Sequence, residues 1–224
     1  MGRVCTVVVS WAPAEPVRVL ALRDELTTRP FDDPAEHWGP GVVGGRDQTA
    51  GGTWCASDVA AGATALVLNR PQKRVADPGA PSRGVLPLLA LERGPDWPDR
   101  VVLPGMASFA LVLVTPSLLR LWVFDGTALT ATDPGPGTHM VTSGFEEDGK
   151  VERYLSSFAG ADWLAVVRAE EPQDDPTALV VRHQKDALVF ATVFGQLIES
   201  RPGSLHLQHS RTPWTDDGWT AQDW

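Results

Sequence analysis

The sequence predicts an α+β fold, a layered domain of mainly antiparallel sheets covered by helices. Apolar and β-branched runs lie towards both ends of the chain, helical patterns cluster between them, and short turns join neighbouring strands as in a meander. With 224 residues, 43% of them hydrophobic, the chain is long enough for a real core, and no internal repeat or linker divides it. One domain is expected over residues 1–211, followed by an acidic, tryptophan-rich tail over 212–224.

Val4 to Trp11 is rich in β-branched residues and Val17 to Arg23 alternates apolar residues with arginine, with Pro13-Ala14-Glu15-Pro16 as the turn between them. The symmetric hairpin pairs Cys5 with Asp24 and Thr6 with Arg23, and a slip of one residue is the alternative. In the symmetric register Cys5, Val7 and Val9 share a face with Asp24, Leu22 and Leu20, an apolar floor ending in a thiol and a carboxylate. A thiol beside Arg23 is biased towards thiolate, and a nearby carboxylate can orient its proton. The competing reading is a buried, inert cysteine beside an ordinary Arg-Asp-Glu surface run.

Phe31 to Gly41 reads as a loop, because its prolines and glycines oppose a sustained ladder. His37 and Trp38 either face a ligand from it or staple it to the domain. The Gly51-Gly52 pair permits positive φ or close backbone approach ahead of a short strand through Thr53, Trp54, Cys55 and Ala56. No GxxxxGK[ST] pattern is present, and a nucleotide loop is unsupported. Ala63 to Pro71 is a largely buried strand ending in Asn69 and Arg70. An asparagine amide there either donates to a developing oxyanion or satisfies the following turn.

Gln72 to Ser82 is polar and turn-rich, and Arg83 to Arg93 has the leucine density of a helix that Pro87 kinks or delays. Phe109 to Val114, Leu118 to Phe124 and Leu129 to Thr132 form three meander strands. Thr138 to Gly144, with His139, is another strand end. Lys150 to Phe158 and Ala161 to Ala169 are helices separated by Gly160. Ala178 to His183, Ala187 to Val193 and Ser204 to His209 return to strands.

The net charge of −9 and the lack of a basic cluster argue against nucleic acid or an anionic membrane as partner. No run approaches the roughly 20 apolar residues of a membrane span, and the start of the chain lacks a secretory signal, so the cytoplasm is the expected compartment. Cys5 and Cys55 are expected as free thiols. The five histidines show no metal-ligand spacing, so no metal site is expected.

Taken together, Cys5, Arg23-Asp24-Glu25 with Arg29-Pro30, His37-Trp38-Gly39, Gly51-Gly52-Thr53-Trp54, Asn69-Arg70, the His139 strand and Val189-Phe190-Ala191-Thr192 follow one another in an order that resembles the transport and Golgi organisation (TANGO/NRDE) family, named for its Asn-Arg-Asp-Glu motif. Leu22 stands where the motif has its asparagine. The resemblance covers nearly the whole chain. It implies a layout similar to the N-terminal nucleophile hydrolases, an αββα four-layer sandwich with an amino-terminal Cys, Ser or Thr at the end of a sheet.

By that likeness Cys5, Arg23, Asp24 and Asn69 are the expected catalytic set, and His37, Trp38, Thr53, Trp54, Arg70 and His139 the expected ligand contacts. The chemistry uses a free α-amine, with a pKa near 8, as the base on the nucleophilic residue. Cys5 gains one if four residues are cleaved, or if translation starts at Val4 and methionine is removed; otherwise it is no N-terminal nucleophile. Two functions follow from the resemblance. The first is binding or trafficking of an amphipathic small molecule, haem or a lipid or acyl-coenzyme A species, with no required cofactor and haem only as cargo; the second is a cysteine amidohydrolase.

Overall fold

A computed structural model describes residues 5–71, 76–144, 149–160 and 162–224. Val4 at the start of the first expected strand, part of the polar segment after Pro71 and Ala161 of a predicted helix lie outside the described residues.

Among the described residues, fourteen strands form two antiparallel sheets. The first contains β1 (Thr6–Trp11), β2 (Val17–Leu26), β10 (Gly137–Thr142), β11 (Arg182–Lys185), β12 (Leu188–Arg201), β13 (Ser204–Ser210) and β14 (Thr220–Asp223). Its order is β10-β1-β2-β12-β13-β14, with β11 paired to the opening half of β12. The second runs in chain order through β3 (Phe31–Ala35), β4 (Val42–Asp47), β5 (Cys55–Asp58), β6 (Ala63–Asn69), β7 (Phe109–Thr115), β8 (Leu118–Phe124) and β9 (Leu129–Thr132). Helices are few: α1 (Leu86–Arg93), α2 (Lys150–Tyr154) and α3 (Trp163–Arg168), with short 3-10 turns beside them.

Strand alternation sorts the core into separate clusters. Val7 and Val9 of β1 and Val17, Val19 and Ala21 of β2 meet Leu66 and Leu68 of β6 and Ala110, Val112 and Val114 of β7, so the two sheets face each other across these residues. The intervening Val8, Leu20 and Leu22 pack on Tyr154, Phe158, Trp163 and Val167 of the α2–α3 region. Phe109, Leu111 and Leu113 turn the other way, onto Leu86, Ala90 and Trp97 around α1. The unbroken apolar run of β7 follows from this: both of its faces are covered.

Several elements differ from the sequence expectation. Phe31–Ala35 is an edge strand, not loop, tolerating Pro34 because its register to β4 breaks between Asp32 and Ala35. Pro87 sits in the first turn of α1, where its missing N–H costs nothing. Ala178 to Val180 are buried without forming a ladder, and β11 begins only at Arg182. The expected strand 187–193 continues to Arg201 as β12. Residues 212–224, read as a tail, supply β14, which pairs with β13. Among the described residues, no helix is long and apolar enough to cross a membrane.

Candidate active site

The opening hairpin forms, but in the slipped register: Thr6 lies opposite Leu22 and Val8 opposite Leu20. A one-residue slip exchanges the faces of a strand. Extending this register sets Cys5 opposite Arg23, so Arg23 joins the inter-sheet face with Val7 and Ala21. The shared face expected for Cys5, Asp24, Leu22 and Leu20 is corrected accordingly. Asp24 meets the thiol through its backbone alone: its amide donates to Cys5 Sγ at 3.4 Å and its carbonyl accepts from Sγ at 3.5 Å.

The expected bias of Cys5 towards thiolate is also corrected. Burial, followed by the Asp24 charge, pushes the thiol up to about 11, outweighing the Asp24 backbone bond and the Arg23 charge. At neutral pH Cys5 is a thiol.

Arg23 is only 6% exposed. Its guanidinium lies 4.6 Å from the Trp54 ring centroid and 5.1 Å from that of Phe31, and its Nη2 donates to Asp47 Oδ2 at 3.1 Å. Burial is the main force lowering its pKa. Its other terminal nitrogen, Nη1, is buried with no hydrogen-bond partner.

Asp47, absent from the sequence-predicted set, organises this wall. Besides Arg23 it accepts from Arg29 Nε at 2.6 Å and Arg29 Nη2 at 3.0 Å, and from the Thr49 and Ala50 amides at 3.1 and 2.9 Å. Burial alone would raise its pKa, but the Arg29 bond, the Ala50 N–H and the charges of Arg29 and Arg23 hold it below the usual carboxylate range.

On the other face of β2, the Asp24 carboxylate accepts from Thr192 Oγ1 at 2.6 Å, while its Oδ2 is unpartnered. Burial raises the Asp24 pKa to about 6, against the opposing pull of Lys150 and the Thr192 bond. Lys150, fully buried at the start of α2, donates to Thr6 Oγ1 at 3.2 Å. A β-bulge makes this two-sided arrangement possible. The register of β12 on β2 shifts between Thr192, opposite Asp24, and Phe194, opposite Arg23. In a regular strand these two residues would share a face; the extra residue, Val193, sends Thr192 to Asp24 and Phe194 inward onto Trp54 and Phe31, at ring distances of 5.7 and 5.4 Å.

These groups wall a cleft of about 120 Å3, lined among others by Cys5, Arg23, Asp24, Thr53, Trp54 and Asn69. Arg29, Asp47 and Arg83 close it from the sides. The expected catalytic residues Cys5, Arg23, Asp24 and Asn69 thus meet at one place, as do Thr53 and Trp54. Asn69, at the end of β6, makes no hydrogen bond to a described residue through its amide. Thr53 is used internally: its hydroxyl donates to the Gly45 and Cys55 carbonyls, both at 2.7 Å.

Gly52 forms part of the floor, where an added Cβ would lie 2.5 Å from the Gly84 backbone. Gly51 has φ +72°, so the glycine pair serves both a left-handed turn and a close approach.

His37, Trp38, Arg70 and His139 do not line this cleft. His37 Nε2 is 3.0 Å from the Asp33 carbonyl and its ring packs edge-on against Trp38. His139 Nε2 is 2.7 Å from the Gly135 carbonyl, and His139 lies on β10 opposite Val9, at the end of β1 away from Cys5. The Arg70 amide donates to the Ser108 carbonyl at 3.2 Å.

No family model matches the chain, and no curated protein matches it. Among solved structures it is similar to a Caenorhabditis elegans N-acylethanolamine-hydrolyzing acid amidase (NAAA) ortholog, with 8% identity and a TM-score of 0.44 over 96% of this chain and 95% of that one.

Proposed function

We propose that the chain is a cysteine amidohydrolase of the N-terminal nucleophile type, an αββα sandwich with the NRDE-like motif order, acting on a small molecule in the cytoplasm. The observation that carries this reading is the convergence of Cys5, Arg23, Asp24 and Asn69 on one cleft from β1, β2 and β6, elements of both sheets.

A thiol pushed up to about 11 needs a base at the moment of attack. The α-amine of Cys5, free when Cys5 is the first residue of the mature chain, supplies it. Sulfur bonds to the amide carbon as the thiol proton passes to that amine, and Asn69 stabilises the oxyanion. The amine then gives the proton to the departing nitrogen as the C–N bond breaks, leaving a thioester. Water adds to the thioester carbon, losing a proton to the amine; the C–S bond breaks, the acid leaves and the thiol is restored. Asp24 is a positioning residue that fixes β2 against β12 and holds its amide on the sulfur.

The other expectation, a carrier of haem, lipid or acyl-coenzyme A, is less well supported. Pockets that enclose drug-sized ligands run to roughly 300–1,000 Å3, well above the cleft's 120 Å3. Mass spectrometry of the protein's amino terminus, an amide and thioester hydrolysis screen with a Cys5→Ala control, and a haem titration by absorbance separate the two. A chain starting at Cys5 with turnover lost in Cys5→Ala is expected; a stoichiometric Soret shift without turnover would replace the enzyme by the carrier.

A further inference from the structure

Next to the polar cleft lies a second, much smaller space. It is a gap of about 20 Å3 between the sheets, walled by Val7, Ala21, Leu66 and Leu68, and it shares Cys5, Arg23, Trp54 and Val67 with the cleft. The Cys5 thiol therefore stands between a polar chamber and an apolar gap. A space of that size holds about one or two methyl-sized groups.

The surrounding core sets its limit: Leu66, Leu68, Val7 and Ala21 are at most 5% exposed and belong to the packed inter-sheet cluster. Close-packed interiors do not yield to an inserted chain without strain. On the polar side the buried Arg23 lines the chamber together with Arg29 and Arg83.

We infer that the substrate is a short-chain acyl derivative of a polar amine, its acyl group two or three carbons long with the carbons beyond the carbonyl seated in the gap, and its amine in the chamber beside Arg29 and Arg83. This rests on the amidohydrolase reading. The acyl carbon bonded to Cys5 sulfur leaves as a short carboxylic acid after water addition, and the amine leaves with the thiol proton. Longer chains would have to displace core side chains, and each misfitted methylene in an apolar pocket is worth about tenfold or more in selectivity.

The test is a series of N-acylglycines, acetyl, propionyl, octanoyl and palmitoyl, offered to the full chain and to a form beginning at Cys5, with acylation of Cys5 followed by peptide mass. Expected is a fall in kcat/KM of at least about tenfold from propionyl to octanoyl, with no palmitoyl turnover. Leu66→Val should move the cut-off to longer chains and Ala21→Val should shorten it. Rates that are flat or rising with chain length would overturn the short-acyl assignment while leaving the enzyme intact. Absence of both turnover and acyl-Cys5 at every length would instead remove the amidohydrolase reading and this inference with it.

Discussion

At the scale of single residues, the sequence makes Cys5, Arg23, Asp24 and Asn69 visible because each ends an apolar strand, and strand ends are where side chains meet a cleft. Which face each takes is not legible, since turn composition leaves the hairpin register open by one residue and that residue decides everything. Asp47 stayed hidden for a different reason. Its near partners, the Thr49 and Ala50 amides, are those of any aspartate capping a turn, whereas Arg23 and Arg29 reach it across more than fifteen residues of chain. Asp47→Asn is expected to destabilise the protein by about 3 kcal/mol at neutral pH, because two arginines lose their shared carboxylate. The sign follows from its depressed pKa: the stabilisation is present above the unfolded carboxyl's pKa and disappears as pH falls through the lower folded value. Urea melts of both proteins across pH should therefore converge in acid; a constant gap would contradict the ion-pair role.

At the scale of elements, the β-bulge at Val193 is the feature that allows β12 to serve both faces of β2, and no composition rule marks it. Phe194 to Arg201 escaped notice as strand because Gly195 and Gln196 interrupt its apolar pattern. Gly195 is nevertheless required there, since a Cβ would come within 2.6 Å of the Pro213 ring. The bulge's chemical product is the Thr192 bond to Asp24. Asp24 has a folded pKa raised to about 6, so its protonated form contributes stability that is full below the unfolded carboxyl's pKa and is lost as pH rises through about 6. Thr192→Val removes a bond that favours the ionised form and is expected to move the Asp24 titration upward. Carbon-detected NMR of the Asp24 carboxyl measures this; an unchanged or lower midpoint would contradict the assignment.

At the scale of the whole molecule, the mainly antiparallel sheets were legible from where the apolar strand patterns fall in the chain, and β6 was legible as a largely buried strand from its apolar run. The closing strand was not, since acidic residues and glycine among tryptophans read as a tail. β14 instead anchors through reciprocal Leu205 and Trp224 backbone bonds, both 3.0 Å, and a His206 to Asp223 contact of 2.6 Å, with Trp214 and Trp219 against the helix-side core and Trp224 against the inter-sheet core. Removal of residues 212–224 is expected to cost at least about 3 kcal/mol in a denaturant melt; an unchanged midpoint would show that the segment adds nothing. The central claim is that Cys5, made terminal, attacks an acyl carbon inside this frame. The most direct measurement is acid-quenched mass spectrometry of a form beginning at Cys5, mixed with N-propionylglycine. A propionyl mass added at Cys5 and absent from Cys5→Ala is expected, whereas an unmodified Cys5 with unhydrolysed substrate across the acyl series would contradict the attack by Cys5.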